Sequence, residues 1–334
     1  MNTLEKKKLA EMPKIELHLH IEGSLEPEML LSLAEKNQIS LPYNDVDAVR
    51  AAYRFRDLQS FLNLYYLATQ CLKTEQDFYA LTLAYLRHCR DENIVYTEMF
   101  FDPQTHLEHG VPLAVSMAGI AAAQGEAERE WGVDSALILC FERDRPAEGT
   151  IALLKDAEKI GGIIGVGLDS AERNHPPAKF AATFAAARAL GLHRVAHAGE
   201  EGPPEYILEA LDKLGVERID HGVRALESPE LVERLRAEQI PLTVCPFSNV
   251  ALGGFGNLQQ HNVARLLESG LKVTINSDDP AYFGGYLTAN ISDTWDALGL
   301  SFEQTIQVQK NAIDGCFAQA HKKREMYEKL SVYG

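Results

Sequence analysis

Eight short runs of apolar, often β-branched residues recur along the chain, and stretches with helical spacing of apolar residues separate them. The runs lie at residues 15–21, 93–101, 135–141, 162–168, 192–197, 216–220, 240–245 and 271–276. Each run has the length of a strand, and the segments between them repeat apolar residues at i, i+3, i+4 and i+7. This alternation predicts parallel βαβ units, and eight of them close most economically into a (β/α)8 TIM barrel. An open, doubly wound sheet is the alternative, but no glycine-rich dinucleotide fingerprint follows the first run.

Two stretches are longer than a barrel requires. Residues 22–92 follow the first run and residues 281–334 follow the last, so the sequence predicts extra helices inserted after strand 1 and at the C-terminus. No linker rich in proline, glycine or serine interrupts either stretch. We therefore expect residues 1–334 to form a single domain.

Charge and composition restrict the partners of such a domain. The chain carries 48 acidic and 32 basic residues, a net charge of −16, which argues against binding to nucleic acid. No window approaches the ~18 apolar residues that a membrane span needs. The five cysteines are widely spaced and form no Cys-x-x-Cys pair, which is typical of a reduced, cytoplasmic protein. We expect an enzyme that acts on a small molecule, and it could form a homo-oligomer.

Histidine and carboxylate side chains concentrate where the runs end. His18 and His20 are two residues apart on the first run, so both imidazoles face the same side of a strand. His197 ends the fifth run, and Asp278 and Asp279 follow the eighth. The carboxyl ends of barrel strands meet at one mouth, and imidazole with carboxylate suits zinc. We predict one Zn²⁺ per chain, with Fe²⁺ as the alternative ion, held by His18, His20, His197 and Asp278, although spacing alone does not choose between the two aspartates.

Two further residues near this mouth suit acid–base chemistry on a water activated by the metal. His221 ends the sixth run and is a candidate base, or else a residue that only hydrogen-bonds a metal ligand. Glu200 lies three residues after His197, which brings a carboxyl group close to the metal without making it a ligand. Its alternative role is to stabilise the start of the following helix.

Four motifs resemble those of one enzyme family. Residues 13–20 read PKIELHLH, and HAGE at 197–200, DHG at 220–222 and SDDP at 277–280 follow in order. Together they resemble the adenosine/adenine deaminase branch of the amidohydrolase superfamily. The resemblance covers residues 13 to about 320 and implies a zinc-containing barrel that hydrolyses the 6-amino group of a purine.

The resemblance also implies a role for each matching residue. His18, His20, His197 and Asp278 match the metal ligands of the family. Glu200 matches the residue that protonates purine N1, and His221 matches the one that orients and deprotonates the attacking water. Asp279 matches the carboxyl group that bonds N7.

Within this branch, residues 55–61, 100–106 and 168–172 resemble segments of bacterial and fungal adenine deaminases. That likeness implies hydrolysis of adenine to hypoxanthine and ammonia in purine salvage and nitrogen catabolism. Phe247 departs from the leucine usual in that group. Adenosine or another 6-aminopurine is the alternative substrate. A non-catalytic purine-binding protein would be expected to lack an acid, a base or a ligand, and none is missing.

Asp169 and Glu172, at the end of the fourth run, are predicted to bind the substrate. Asp169 ends the run, and Glu172 stands where nucleoside enzymes of the family have a glycine near the N3/N9 edge. A carboxylate there accepts the N9 hydrogen of a free base and crowds a ribose, so we expect Asp169 and Glu172 to contact adenine. The alternative is that Glu172 turns outward and only begins the next helix.

Overall fold

Eight parallel strands form the centre of the molecule, in the computed structural model that describes all 334 residues. They are β1 (Lys14–His20), β2 (Ile94–Phe101), β3 (Asp134–Glu142), β4 (Ile163–Asp169), β5 (His193–Ala198), β6 (Arg218–His221), β7 (Pro241–Val244) and β8 (Lys272–Ile275). Each strand pairs with the next in sequence order, and each predicted run lies within two residues of an observed strand. The predicted (β/α)8 TIM barrel is confirmed.

The chain after β8 closes the barrel onto β1. The Asp278 N–H donates to the His18 carbonyl at 3.1 Å, and the His20 N–H donates to the Asp278 carbonyl at 3.0 Å. The Asn276 side chain adds a third link, because its Oδ1 accepts the Leu17 N–H at 2.9 Å. The closure therefore fixes Asp278 directly beside the two histidines of β1.

Seventeen α-helices surround the strands. They are α1 (Thr3–Glu11), α2 (Pro27–Lys36), α3 (Val46–Ala52), α4 (Leu58–Thr69), α5 (Glu75–Asp91), α6 (Pro103–Glu108), α7 (Leu113–Trp131), α8 (Thr150–Ile160), α9 (Ala181–Ala189), α10 (Pro204–Glu209), α11 (Pro229–Glu238), α12 (Pro246–Ala251), α13 (Val263–Glu268), α14 (Pro280–Phe283), α15 (Leu287–Leu298), α16 (Phe302–Gly315) and α17 (Ala320–Leu330). Helices α2–α5 occupy the predicted insertion after strand 1, and α14–α17 form the C-terminal addition.

Local sequence explains where the inserted helices begin. Asp57 caps α4 by accepting the Ser60 N–H, and Thr74 caps α5 by accepting the Asp77 N–H. Helix α5 then packs closely on α7 at Gly119, where a Cβ atom would lie 2.3 Å from the Glu75 carbonyl oxygen. This contact allows only glycine, so it fixes how closely the insertion approaches the barrel.

The hydrophobic core has two parts. The larger part lies between the strands and the surrounding helices. A smaller cluster of Phe100, Ile138, Cys140 and Val195 fills the barrel interior below the strand ends. None of the helices is both long and apolar enough to cross a membrane.

The amino-terminal end of the barrel buries an ion pair. The Arg218 guanidinium lies 2.5 Å from Glu98 Oε2 and also donates to the Leu17 carbonyl. The other Glu98 oxygen accepts from the Tyr96 hydroxyl at 3.0 Å and from the Phe317 N–H at 2.5 Å. Both oxygens of this carboxylate are thus hydrogen-bonded within the chain, as a buried charge requires.

Candidate active site

Three histidines and one aspartate meet at the carboxyl end of the strands. His18 and His20 on β1, His197 on β5 and Asp278 after β8 are all buried, and one ligand atom from each lies within 4.8 Å of the others. His18 Nε2 is 3.0 Å from Asp278 Oδ1, and the Nε2 atoms of His20 and His197 are 3.1 Å apart. Three imidazole nitrogens and a carboxylate oxygen converging on one point suit a divalent transition ion.

Side chains behind this cluster set which nitrogen faces its centre. His18 Nδ1 hydrogen-bonds Thr243 Oγ1 at 2.9 Å, and that hydroxyl donates onward to Asp220 Oδ1 at 2.8 Å. His197 Nδ1 is 3.6 Å from the other Asp220 oxygen, and His20 Nδ1 is 3.7 Å from Asp169 Oδ2. Each imidazole thus turns its Nδ1 toward an oxygen, which leaves Nε2 available to an ion.

Two of the candidate residues have strained backbones. Asp278 has φ +65° and His221 has φ +63°, both in the left-handed region that non-glycine residues seldom adopt. Such a conformation costs on the order of 1–3 kcal/mol and persists only where the surroundings impose it. At Asp278 the two backbone hydrogen bonds to β1 impose it, and the carboxylate points at the histidines as a result.

The candidate acid and base face each other beside the cluster. His221 Nε2 lies 3.6 Å from Glu200 Oε1 and 3.8 Å from Asp278 Oδ2. Its Nδ1 faces the Asn249 amide at 3.3 Å, and His261 Nε2 faces the oxygen of that amide at 3.2 Å. Burial and then the charges of Asp278 and Glu172 raise the pKa of Glu200 well above its usual range, while burial lowers the pKa of His221.

Glu172 holds the loop that carries Glu200. Its Oε1 accepts the Gly199 N–H at 2.7 Å, and its Oε2 accepts the N–H groups of Glu200, Glu201 and Gly202 at 3.0, 2.8 and 2.7 Å. A Cβ atom on Gly202 would lie 2.6 Å from the Glu172 carboxylate. The second glycine of the HAGEEG segment is therefore required for this close approach.

This position differs from the one that the sequence predicted for Glu172. Its side chain is 1% exposed and is not among the residues that line the cavity above the histidines. The expected contact with purine N9 needs a free carboxylate oxygen in the cavity, whereas both oxygens already accept backbone hydrogen bonds. In the structure Glu172 faces the loop that carries Glu200, and it neither lines the cavity nor turns outward, so its contact with substrate stays a prediction.

Asp279 directly follows the metal-cluster residue Asp278 and lines the cavity. Its carboxyl group is buried, and Oδ1 has no hydrogen-bond partner. A Cβ atom on Gly23 would lie only 2.0 Å from that oxygen, so the glycine after Glu22 makes room for the side chain. Burial, and after it the charge of Asp278, raises the pKa of Asp279 well above its usual range.

A partly open pocket covers the cluster, polar at its base and apolar above. Its polar lining consists of carboxylates and histidines, among them His20, His197, Asp278, Glu200, His221, Asp279 and Asp169. Helix α4 covers it with apolar and aromatic side chains, namely Leu58, Phe61, Leu62 and Tyr65. This shape suits a flat, aromatic ligand that has polar groups along its edge.

Comparison with known proteins identifies the family. The adenosine deaminase family model matches residues 13–333. The chain belongs to the adenosine deaminase family. It is 51% identical over 323 residues to the adenine deaminase of Hahella chejuensis, covering 96% of this chain and 97% of that protein. It is 54% identical over 311 residues to the adenine deaminase of Stutzerimonas stutzeri, covering 93% and 98%.

A solved structure gives the same result for the fold. The crystal structure of adenine deaminase from Arthrobacter aurescens superposes with a TM-score of 0.95 at 44% identity, covering 96% of this chain and 99% of that one. The resemblance inferred from the four motifs is therefore confirmed for this member of the deaminase family.

Sequence reasoning overlooked two residues of this deaminase-family cavity. Asp102 follows β2 and Tyr65 lies on α4, and both line the cavity. The Tyr65 hydroxyl donates to Asp102 Oδ2 at 2.9 Å. The position of Asp102 at a strand end could have identified it as a cavity residue. Tyr65 is one of several aromatic residues in an amphipathic helix, and nothing in the sequence distinguishes it from the others.

Proposed function

We propose that this chain is a hydrolase that converts adenine and water to hypoxanthine and ammonia. The observation that carries the substrate is the identity of 51–54%, over more than nine-tenths of the chain, with proteins named adenine deaminase. The geometry supports the reaction, because an acid, a base and a metal-binding cluster surround one cavity. We further propose that residues 1–334 act as one domain and that the enzyme works in the cytoplasm, where its five unpaired cysteines suit a reducing environment.

His18, His20, His197 and Asp278 fit a zinc ion, and we propose that they hold one per chain, with Fe²⁺ as the alternative. On the opposite ring nitrogens, His18 hydrogen-bonds the Thr243 hydroxyl, and His20 and His197 face carboxylate oxygens at 3.7 and 3.6 Å. When bound, the ion supplies the positive charge that makes water a usable nucleophile near neutral pH.

The residues around the cluster then handle the protons. Purine N1 and N7 are bare acceptors, so the groups that face them must donate. Glu200 is placed to donate its proton to N1, which makes C6 more electrophilic, and Asp279 is placed to donate to N7. His221 Nε2 lies between Glu200 and Asp278, where it can take the proton of the attacking water. His221 then passes that proton to the 6-amino group, the carbon–nitrogen bond breaks and ammonia leaves, and the proton of the added hydroxyl returns to Glu200, which leaves the carbonyl of hypoxanthine.

The test is to incubate the metal-loaded protein with adenine and with adenosine and to follow ammonia release. We expect kcat/KM for adenine to exceed that for adenosine by at least about a hundredfold, since a buried site that bonds an N–H rejects analogues without it. Adenosine turned over as well as adenine would make the chain a nucleoside deaminase. Ammonia from neither would contradict the proposal.

A further inference from the structure

One carboxylate in the cavity wall has an oxygen without a hydrogen-bond donor and no role in the proposed reaction. Asp102 follows β2, is 2% exposed and lines the cavity. Its Oδ2 accepts from the Tyr65 hydroxyl at 2.9 Å, but its Oδ1 has no partner. A buried carboxylate oxygen without a donor is costly, so its retention calls for an explanation.

Neighbouring side chains fix this carboxylate in place. The Asp102 N–H donates to Glu22 Oε1 at 3.1 Å, and the same oxygen faces His106 Nε2 at 2.9 Å. Glu22 is 1% exposed and His106 is 1% exposed, so both contacts are shielded from water. Backbone and side chain of Asp102 are therefore held independently, which sets the direction of Oδ1.

The position of Asp102 relative to the reacting groups indicates what it meets. It lies on the same side of the cavity as Asp279, because its N–H donates to Glu22 Oε1 and the next residue, Gly23, packs against Asp279 Oδ1. It also approaches His20 and Asp169, with ligand atoms of the three residues within 4.8 Å of one another. A purine with C6 at the metal cluster and N7 at Asp279 would place its five-membered ring, and with it N9, on the side of the cavity that Asp102 lines.

Asp169 is the other carboxyl group on this side, but it faces an imidazole of the metal-binding cluster. Its Oδ2 is 3.7 Å from His20 Nδ1, where it orients a metal-binding imidazole. Asp102 comes within 4.8 Å of His20 but forms no ion pair with it, and its second oxygen is already bonded to the Tyr65 hydroxyl. Its Oδ1 is therefore a fixed acceptor that no donor of the protein occupies.

We propose that Asp102 accepts the N9–H of a free purine base and that Tyr65 positions it, so that this pair selects free bases over N9-substituted purines. The inference deepens the proposed function and rests on it. A nucleoside has no hydrogen on N9, so it leaves the carboxylate unpaired and brings its sugar against the same wall. The pair takes the role that the sequence assigned to Glu172.

The experiment compares adenine with 9-methyladenine, which lacks the N9 hydrogen and adds little bulk. For the metal-loaded wild-type protein we expect kcat/KM to favour adenine by at least about a hundredfold. In Asp102→Ala the value for adenine should fall about 10- to 100-fold, as for a lost hydrogen bond to a charged group, while that for 9-methyladenine stays level or rises. The preference should shrink below about tenfold.

Tyr65→Phe provides a milder second variant, because it removes only the hydroxyl that holds Asp102. We expect a severalfold smaller preference for adenine, expressed mainly in KM, with metal content unchanged. Tyr79→Phe is the matched control, since the Tyr79 hydroxyl bonds Glu126 away from the cavity. Its preference should equal that of the wild type. If Asp102→Ala does not fold, Tyr65→Phe is the deciding variant. A ratio of kcat/KM for adenine to 9-methyladenine equal to that of the wild type would then overturn the inference.

The outcomes separate the two proposals. Wild-type protein that releases no ammonia from adenine would overturn the proposed function, and this inference with it. Wild-type protein that is active on adenine, together with an equal loss for both substrates in Asp102→Ala, would overturn only the assignment of Asp102.

Discussion

The two ends of the barrel both bury charged side chains, but they differ in how completely these are paired. At the amino-terminal end, Glu98 receives hydrogen bonds on both oxygens, including one from the buried Arg218. At the carboxyl end, Asp102, Asp169 and Asp279 each keep at least one buried oxygen without a donor. Because buried polar groups without partners oppose folding, the carboxyl end gives up stability to keep polar groups free for ligands, whereas the paired amino-terminal end does not.

The largest effect expected at the carboxyl end follows removal of a metal ligand. Purified protein should contain about one equivalent of a divalent transition ion, and His18→Ala or Asp278→Ala should lose both the ion and ammonia release. Metal analysis and an adenine assay check this. His193→Ala is the control, because His193 is a half-exposed histidine at the other end of β5 from His197. Full activity in metal-free protein would contradict the role of the cluster.

Glu200→Gln tests the acid next to the cluster. An amide cannot protonate N1, so kcat should fall by about 10²–10⁴ while the metal content stays the same. Glu201→Gln is the matched control, since the neighbouring side chain pairs with Arg173 at 3.2 Å and not with His221. A fall of less than about tenfold in Glu200→Gln would remove this residue from the role of general acid.

Opposite changes in stability should distinguish the two ends directly. Glu98→Gln leaves the Arg218 charge buried without its counter-charge and should lower the free energy of unfolding by about 3–5 kcal/mol. Asp102→Asn keeps an oxygen for the Tyr65 hydroxyl and removes a charge beside Asp169, so the melting temperature should stay level or rise. Thermal and urea unfolding of the metal-loaded proteins measure both. A lower stability in both variants would mean that the ends do not differ in this way.

Glu172→Gln should have a smaller effect, on the position of Glu200. The amide group would face backbone N–H groups that now donate to a carboxylate, so the loop at residues 199–202 should shift. We expect kcat to fall about 10- to 100-fold with little change in KM or metal content, since small displacements of a catalytic group are costly. Glu205→Gln, on the exposed start of α10, is the control. A rise in KM for adenine at constant kcat would instead indicate substrate contact.

The comparison also shows which parts of the site were readable from sequence. His18 and His20 were predicted together because a strand places residues two apart on one face, and His197 and Asp278 follow strands that end at the same mouth. Such positions depend on local periodicity. Their arrangement, with ligand atoms within 4.8 Å, bears out the predicted convergence, although which ion they hold stays a prediction.

The substrate side depends on contacts between distant segments, and there the sequence was a poorer guide. Glu172 was predicted to contact adenine, but in the structure its partners are N–H groups of a loop that begins 27 residues later. Tyr65 reaches Asp102 across 37 residues, from a helix inserted into the barrel. A pattern of residue types does not show which donor will meet which acceptor across such distances, because packing of the inserted helices decides it.

The smallest expected effect concerns acid stability at the carboxyl end. Burial lowers the pKa of His261 from 6.5 to about 4. Geometry favours the neutral ring, because Nδ1 accepts the Val263 N–H at 3.1 Å and Nε2 therefore carries the hydrogen that faces Asn249. As the pH falls below 6.5, the unfolded chain takes up a proton here and the folded chain does not, so stability falls with pH until about pH 4.

At 1.36 kcal/mol per pH unit, this single group lowers the free energy of unfolding by about 2 kcal/mol between pH 6.5 and pH 5. His261→Gln cannot take up the proton, so its stability should fall less over the same range. Urea unfolding of both metal-loaded proteins at pH 7.5, 6.5 and 5 gives the difference, and the acid sensitivity of all other groups cancels in it. Because His261 supports Asn249, which in turn faces His221, the variant should also show whether this chain of contacts matters for turnover. Equal losses of stability in the two proteins would mean that His261 is protonated in the folded state, and the neutral ring inferred from its contacts would be wrong.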